Sequence, residues 1–433
     1  MEEAQKIQDK KTNTKLFPIY KMFSWDLLFY YSIIYLFLTQ AKNFSASEVL
    51  LAESFFTASC LFLQIPIGLL VDKFGKKNSL VFANICMCVF ITILLFINNY
   101  KMLLLANFID AIGYVIKGVC ETNILYDSLP KGEKRGTLYS SIDGVGAARY
   151  YIIDAITSII AGITFAIDPY IPVVLCLIVN IIALILSTRF KHTQSQREEE
   201  YSKETARQYF KELREAIKFT FNSKRMLCLM LFFGLMSGLT YNLSTYRSNI
   251  LNSINIPAQY FGVIFAIIQI MAGICSKGQG WLHRRFKNNT LSVLGIPYVA
   301  SCFIIGCLVD SFGESVSNIV VILFILQGAI KGAYNVLIYR YLNNFTNRKI
   351  RVKLATIRNM FFNMISILIS LLGSFLLKVT TSGNTFLIVG GICTVCMVLL
   401  LDYMRGKVGL KPEKYNKEDL KYSSFNEGGN LKW

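Results

Sequence analysis

Apolar runs long enough to cross a hydrocarbon core recur along nearly the whole chain, and no other feature constrains its fold as strongly. A helix needs roughly 20 predominantly apolar residues to span a bilayer. Runs of that kind lie at 17–40, 47–71, 79–97, 101–127, 136–167 and 170–188, and again at 226–251, 257–281, 290–310, 315–340, 352–379 and 384–404. They predict an all-α, polytopic membrane protein of twelve transmembrane helices, because 54% hydrophobic against 17% charged residues is more apolar sequence than a soluble domain needs. The formal net charge of +18 would suit a nucleic-acid partner if the basic residues shared one face or one tail. They alternate with the spans instead. Most lie in alternate loops and the two termini, with only Lys42, Lys101 and Lys378 in the opposite set. That asymmetry excludes nucleic acid as the partner and places those loops and both termini in the cytoplasm, with the lipid bilayer of the cell membrane around the spans.

Between the second and third spans stands Gly68-Leu69-Leu70-Val71-Asp72-Lys73-Phe74-Gly75-Lys76-Lys77-Asn78. Gly68 and Gly75 let two helices close up and the backbone turn tightly, and Lys73, Lys76 and Lys77 offer charge to anionic headgroups. Asp72 is the lone carboxylate among them. The pattern Gly-x-x-x-Asp-Lys-x-Gly-Lys-Lys resembles the signature between helices 2 and 3 of major facilitator superfamily (MFS) transporters. By that resemblance Asp72 latches one half of the molecule to the other and touches no substrate, and the six motif positions form a gate. The helix 4 ending Tyr126-Asp127-Ser128-Leu129 resembles a bacterial permease and efflux branch of unassigned substrate. The Gly-Pro signature of many drug/proton antiporters is missing from helix 5, where Gly144-Val145-Gly146-Ala147-Ala148 stands.

The sequence repeats itself in halves. Gly280-Trp281-Leu282-His283-Arg284-Arg285-Phe286 echoes the first motif with Arg284 in place of Asp72. Ile116-Lys117-Gly118 returns as Ile330-Lys331-Gly332, and Ile142-Asp143 as Ile357-Arg358. Two pseudo-symmetric six-helix bundles are the plan expected of the family, with substrate at the midplane between them. The domain order is a cytoplasmic N-terminus (1–16), a first bundle (17–188), a linker with an interfacial helix (189–225), a second bundle (226–405) and a polar tail (406–433). Acidic Asp72, Asp127 and Asp143 in the first half match basic Arg284, Arg340 and Arg358 in the second, a pattern that invites ion pairs across the pseudo-twofold axis.

Ionisable groups at membrane depth cost at least a few kcal/mol each, so each needs a partner, a wet cavity or a task. On helix 4, Asp110, Lys117 and Glu121 fall within about 20° of one direction, with Tyr114 and Asn107 near the same stripe. Lys117 and Glu121 are spaced to pair. Helix 1 offers Asp26, Tyr30, Ile33 and Phe37 on one side, helix 5 offers Asp143, Tyr150 and Asp154, helix 7 offers Tyr241, helix 10 offers Lys331 and Asn335, and helix 11 opens with Arg358. Asp26, Tyr30, Tyr114, Lys117, Tyr241, Lys331, Asn335 and Arg358 are the candidate substrate ligands; Asp110, Glu121 and Asp143 are the candidate proton carriers.

These residues predict a monomeric secondary active transporter for a small polar or amphipathic organic solute, working by alternating access and coupled to protons. Multidrug efflux and a non-transporting membrane sensor are the alternatives. No phosphate-binding loop, nucleophile–base pair or His/Cys cluster is present in the sequence, so neither enzyme chemistry nor a metal or other cofactor is expected. The eleven cysteines, the Cys393–Cys396 pair included, read as small apolar residues.

Overall fold

The computed structural model describes residues 2–130, 135–192, 203–286, 289–344 and 348–407, and the regular elements among them are all helical. The first six spans are built from α1 (Glu2–Ser24), α2 (Ile34–Leu36), α3 (Ala46–Phe74), α4 (Lys76–Phe96), α5 (Tyr100–Ser128), α6 (Arg135–Ile167) and α7 (Tyr170–Thr188). After α8 (Lys203–Asn222) come α9 (Lys224–Ser253), α10 (Ala258–Phe286), α11 (Thr290–Phe312), α12 (Ser317–Asn344), α13 (Arg348–Val379) and α14 (Ser382–Lys407). The polar tail, with Pro412 and Gly428-Gly429, lies outside the described residues.

Local chemistry fixes several of the helix starts. Ser45 accepts from the Glu48 amide at 3.2 Å while Glu48 Oε2 accepts from the Ser45 amide at 2.9 Å, a reciprocal cap that opens α3. Asn99 Oδ1 accepts from the Met102 amide at 2.9 Å and opens α5. Gly75 ends α3 and begins α4 with φ +81° and ψ 144°, a conformation essentially reserved for glycine. A methyl group on Gly68 would meet nothing within 4 Å among the described residues, so the tight turn rests on Gly75, and the close packing expected at Gly68 is not found among them.

Ten stretches of the described residues are long and apolar enough to cross a membrane. One of them, Thr290–Asn335, holds both α11 and α12, which run together through the 3-10 turn Gly313–Val316. The first span is the exception to the predicted pattern. Expected as one helix over 17–40, it stops at Ser24, and α2 and a π-helical turn, Phe37–Ala41, resume only after nine residues of turns and bends, 25–33. The Trp25 amide still bonds to the Lys21 carbonyl at 3.0 Å, but the Leu27 amide turns to the Asp26 carboxylate at 3.0 Å. Phe29 then takes φ +62°. The physical cause is competition. A short acidic side chain offers the backbone an alternative acceptor just where Phe29, Tyr30 and Tyr31 lower helix propensity. The single stripe of Asp26, Tyr30, Ile33 and Phe37 therefore does not form, and Ile33 and Phe37 are fully buried.

The described chain divides into two compact units, residues 1–206 with 256–266, and 207–255 with 267–433. In the first, α1 packs on α6, α4 on α7, and α3 and α4 on α5. Its core gathers Phe17, Tyr20, Val71, Leu80, Cys120 and Phe190, with the Tyr20 and Phe190 rings edge to face at 5.3 Å. In the second, α9 packs on α13 and α11 on α14. First-with-fifth and third-with-sixth pairings thus recur in both units, so the sequence repeat is also a packing repeat.

Lipid gives helices no hydrophobic reason to associate, so close backbone approach and polar ties do the work. A methyl group at Gly306 of α11 would lie 2.3 Å from the Leu387 amide nitrogen of α14. Asn242 of α9 donates to Ser366 Oγ of α13 at 3.0 Å and accepts from the Ser370 hydroxyl. Helix α8 buries Ala216, Phe219 and Thr220 and sets the Phe221 ring 6.1 Å from Phe361 of α13. The side chains of Tyr209, Phe210 and Leu213, named for its apolar face, lie outside the described set.

Candidate functional site

The charged groups of the first unit converge on the place where α1 is interrupted. Ending a helix leaves its last carbonyls without amide partners. Lys117 of α5, only 6% exposed, donates its ammonium to the Ser24 carbonyl, so a cation sits at the negative end of the helix dipole. Glu121, one turn further along α5, accepts from the Ser24 hydroxyl at 3.3 Å. The two residues expected to pair along α5 do not form a direct ion pair among the described residues; both bond to one α1 residue, Ser24. Asp110 lies within electrostatic range of both Lys117 and Asp26.

Asp26 accepts from the Leu27 amide and, at 2.7 Å, from the Tyr31 hydroxyl. The Tyr30 ring lies edge-on to Tyr31 at 5.2 Å and 5.9 Å from Phe90. Asp26, Glu53 and Asp110 all act electrostatically on Tyr30, and Asp26 and Asp154 on Tyr150. Trp25 meets Tyr150 at 5.2 Å and Tyr151 at 5.1 Å. Non-helical backbone at membrane depth is tolerated only where it is buried in protein or lines a wet cavity. Here aromatic rings and carboxyls surround it.

Other expected residues serve as ties within the first unit. Asp143 pairs with Lys21 of α1, and Asp127 with Lys76, so both acids find a base in their own unit. Lys76 therefore commits its charge to α5, not to headgroups alone. Asn107 donates to the Ala52 carbonyl at 3.0 Å, fastening α5 to α3, and half of the Tyr114 surface is exposed beside Phe56 at 5.7 Å. Lys77 is half-buried at the start of α4. Asp72 and Lys73 close α3, but their side chains, like those of Arg284 and Arg340, lie outside the described set.

In the second unit the Arg358 guanidinium stands 5.2 Å over the Phe233 ring and donates to Asn359 at 3.2 Å. Tyr241 packs edge-on against Phe362 at 5.7 Å. Lys331 and Asn335 are half-buried on α12, about one and two turns beyond buried Gln327, which donates to Ser301 of α11 at 2.8 Å. Arg247 lies over Phe324 at 5.3 Å. The sequence reading passed over Lys21, Ser24, Trp25, Tyr31 and Tyr151. The available signal was the Trp-Asp pair followed by Phe29-Tyr30-Tyr31, a poor helix-forming run inside an apolar span. Among the described residues no group of three or more His, Cys, Asp or Glu is placed to hold a metal ion.

Similar proteins place this arrangement in a family. The uncharacterised MFS-type transporter YxaM of Bacillus subtilis (strain 168) is 24% identical over 242 residues, 55% of this chain, and the match spans only 58% of that relative's length. A mutant of the nucleoside transporter NupG superposes with a TM-score of 0.68 at 15% identity, covering 92% of this chain and 99% of its own. A POT family transporter in complex with 5-aminolevulinic acid follows at 0.64, with 12% identity and coverage of 92% and 96%. A D-xylose-proton symporter gives 0.62 at 13% identity, covering 91% and 96%. At such identities these structures establish the fold. The profile of the Major Facilitator Superfamily matches residues 16–324 and 292–425, and with that match over nearly all of its helical length the chain belongs to the Major Facilitator Superfamily.

Proposed function

We propose that the protein is a secondary active transporter that moves a small polar or amphipathic organic solute across the cell membrane by alternating access, driven by protons. It works as a monomer with both termini in the cytoplasm. The observation that carries this reading is the group of half-buried acids Asp26, Asp110 and Glu121 around buried Lys117, beside the interruption of α1. Such groups are costly at membrane depth and mark solute or proton pathways. Asp110 and Glu121 flank the Lys117 ammonium, so a proton added to either carboxyl changes the field that holds the lysine on Ser24. Lys117 and Asp26 then couple that proton to the shape of the α1 interruption. Asp143 belongs to the same relay through Lys21, and Tyr30 lines the solute position. Tyr114, Tyr241, Lys331, Asn335 and Arg358 are the remaining solute contacts in this reading. Similar folds that include a nucleoside transporter, a D-xylose-proton symporter and a transporter in complex with 5-aminolevulinic acid agree with a polar organic solute.

Purified protein in liposomes, screened against a solute library with an internal pH dye, tests the reading. Solute-dependent proton entry that disappears in an Asp110→Asn/Glu121→Gln double variant is expected. Solute uptake with no proton movement overturns the coupling, and no uptake of any solute by folded protein overturns transport.

A further inference from the structure

The interruption of α1 also indicates which end of a solute it receives. Three kinds of group known to favour positive charge meet there. The first is the carboxyl-terminal end of a helix, whose dipole presents partial negative charge. The second is the set of carboxyls, with Asp26 inside the interruption and Asp154 of α6, 6% exposed, acting on the same ring, Tyr150. The third is a group of aromatic rings: Trp25 contacts Tyr150 and Tyr151, which lie 5.8 Å from each other, while Tyr30 and Tyr31 follow five and six residues after Trp25. Aromatic faces attract ammonium groups through the ring quadrupole, by about 0.5–2 kcal/mol.

The chain already demonstrates this preference with its own amines. The Lys21 ammonium lies 4.5 Å above the Trp25 ring, and the Lys117 ammonium rests on the Ser24 carbonyl. Within the interruption, Ser32 is 1% exposed and its hydroxyl has no hydrogen-bond partner. A buried hydroxyl left that way costs about 1–3 kcal/mol, an expense that a bound donor or water removes. Phe29 in the left-handed region adds local strain of the sort found at ligand clamps.

We propose that the stretch Trp25–Ser32, with Tyr150 and Tyr151, is the binding site for the ammonium end of an organic amine, Asp26 supplying the counter-charge and the part-exposed Tyr151 the ring on which the cation rests, beside the Trp25 ring that Lys21 already covers. The proposal rests on the transport reading only in taking the bound amine to be the transported solute. An aromatic wall beside a carboxylate suits an amine carrying an apolar body better than a bare metal cation, which prefers a cage of oxygens.

Trp25 reports on its own site. The chain has three tryptophans, and a Trp281→Phe/Trp433→Phe background leaves Trp25 as the sole indole emitter. Phenylethylammonium, its neutral counterpart 2-phenylethanol, and sodium are titrated into the detergent-purified full chain. A saturable Trp25 fluorescence change with phenylethylammonium, about tenfold weaker with the alcohol and absent with sodium, supports the proposal. Equal response to the alcohol, or a larger one to sodium, overturns it. Asp26→Asn should weaken phenylethylammonium at least tenfold. Should that variant fail to fold, Tyr151→Leu, altered at a 42% exposed ring, should weaken it about fivefold. Unchanged affinity in a folded variant of either kind overturns the assignment. Liposome uptake separates the two readings: amine binding by folded protein that takes up no solute removes transport and leaves this site, whereas transport of a neutral solute with no response at Trp25 removes this site alone.

Discussion

Single residues divide the labour of the loop motif unequally. Gly75 has a backbone conformation in which a side chain is strained, while Gly68 sits mid-helix with open space around it. Gly75→Ala should therefore cost about 1–3 kcal/mol, and Gly68→Ala should raise stability by about 0.5–1 kcal/mol by relieving helix entropy. Thermal unfolding of both variants in the same detergent checks the contrast, and equal shifts of one sign would refute it. Gly75 was legible in the sequence because two spans separated by only the residues 72–78 demand a sharp turn. The open surroundings of Gly68 were not, because a sequence does not show what faces a helix position. The same limit applies to Lys76 and Lys21. Charge near a span end reads equally well as a headgroup contact or an ion pair, and only the fold brings Asp127 and Asp143 within reach.

At the scale of elements, apolar run length located nearly every helix, because a run long enough to span a bilayer leaves little choice. What it missed is the failure of α1. Asp26 and the aromatic residues after it break the ladder through local hydrogen bonds that a hydropathy window averages away. The interruption in turn needs an external partner for the Ser24 carbonyl, and Lys117 is that partner. Lys117→Met should leave a buried carbonyl without its donor and cost about 1–3 kcal/mol. Ser24→Ala keeps the carbonyl bond and removes only the hydroxyl tie to Glu121, for about 1 kcal/mol. Hydrogen exchange across 22–33 should quicken in Lys117→Met more than in Ser24→Ala. If the two variants exchange alike, the lysine does not hold the break.

Across the whole molecule, the duplication seen in sequence returns as duplicated helix pairings, α1 with α6 and α4 with α7 in one unit, α9 with α13 and α11 with α14 in the other. That much follows from like sequence giving like packing. Charge does not follow it. Asp127 and Asp143, which the repeat aligned with Arg340 and Arg358, are each held by a lysine of the first unit. Their fixed pairing leaves Asp72, at the end of α3, as the acidic member of the motif to which the gate role is assigned by family resemblance. A gate stabilises one access state and contributes little to solute affinity, since an interaction equally present in free and bound forms cannot change binding. Asp72→Asn should accordingly slow solute counterflow in liposomes about tenfold, the equivalent of some 1.4 kcal/mol. The dissociation constant, read by Trp25 fluorescence or calorimetry, should stay within about twofold. A folded Asp72→Asn protein that transports at the original rate, or that loses solute binding, would assign the residue to something other than a gate.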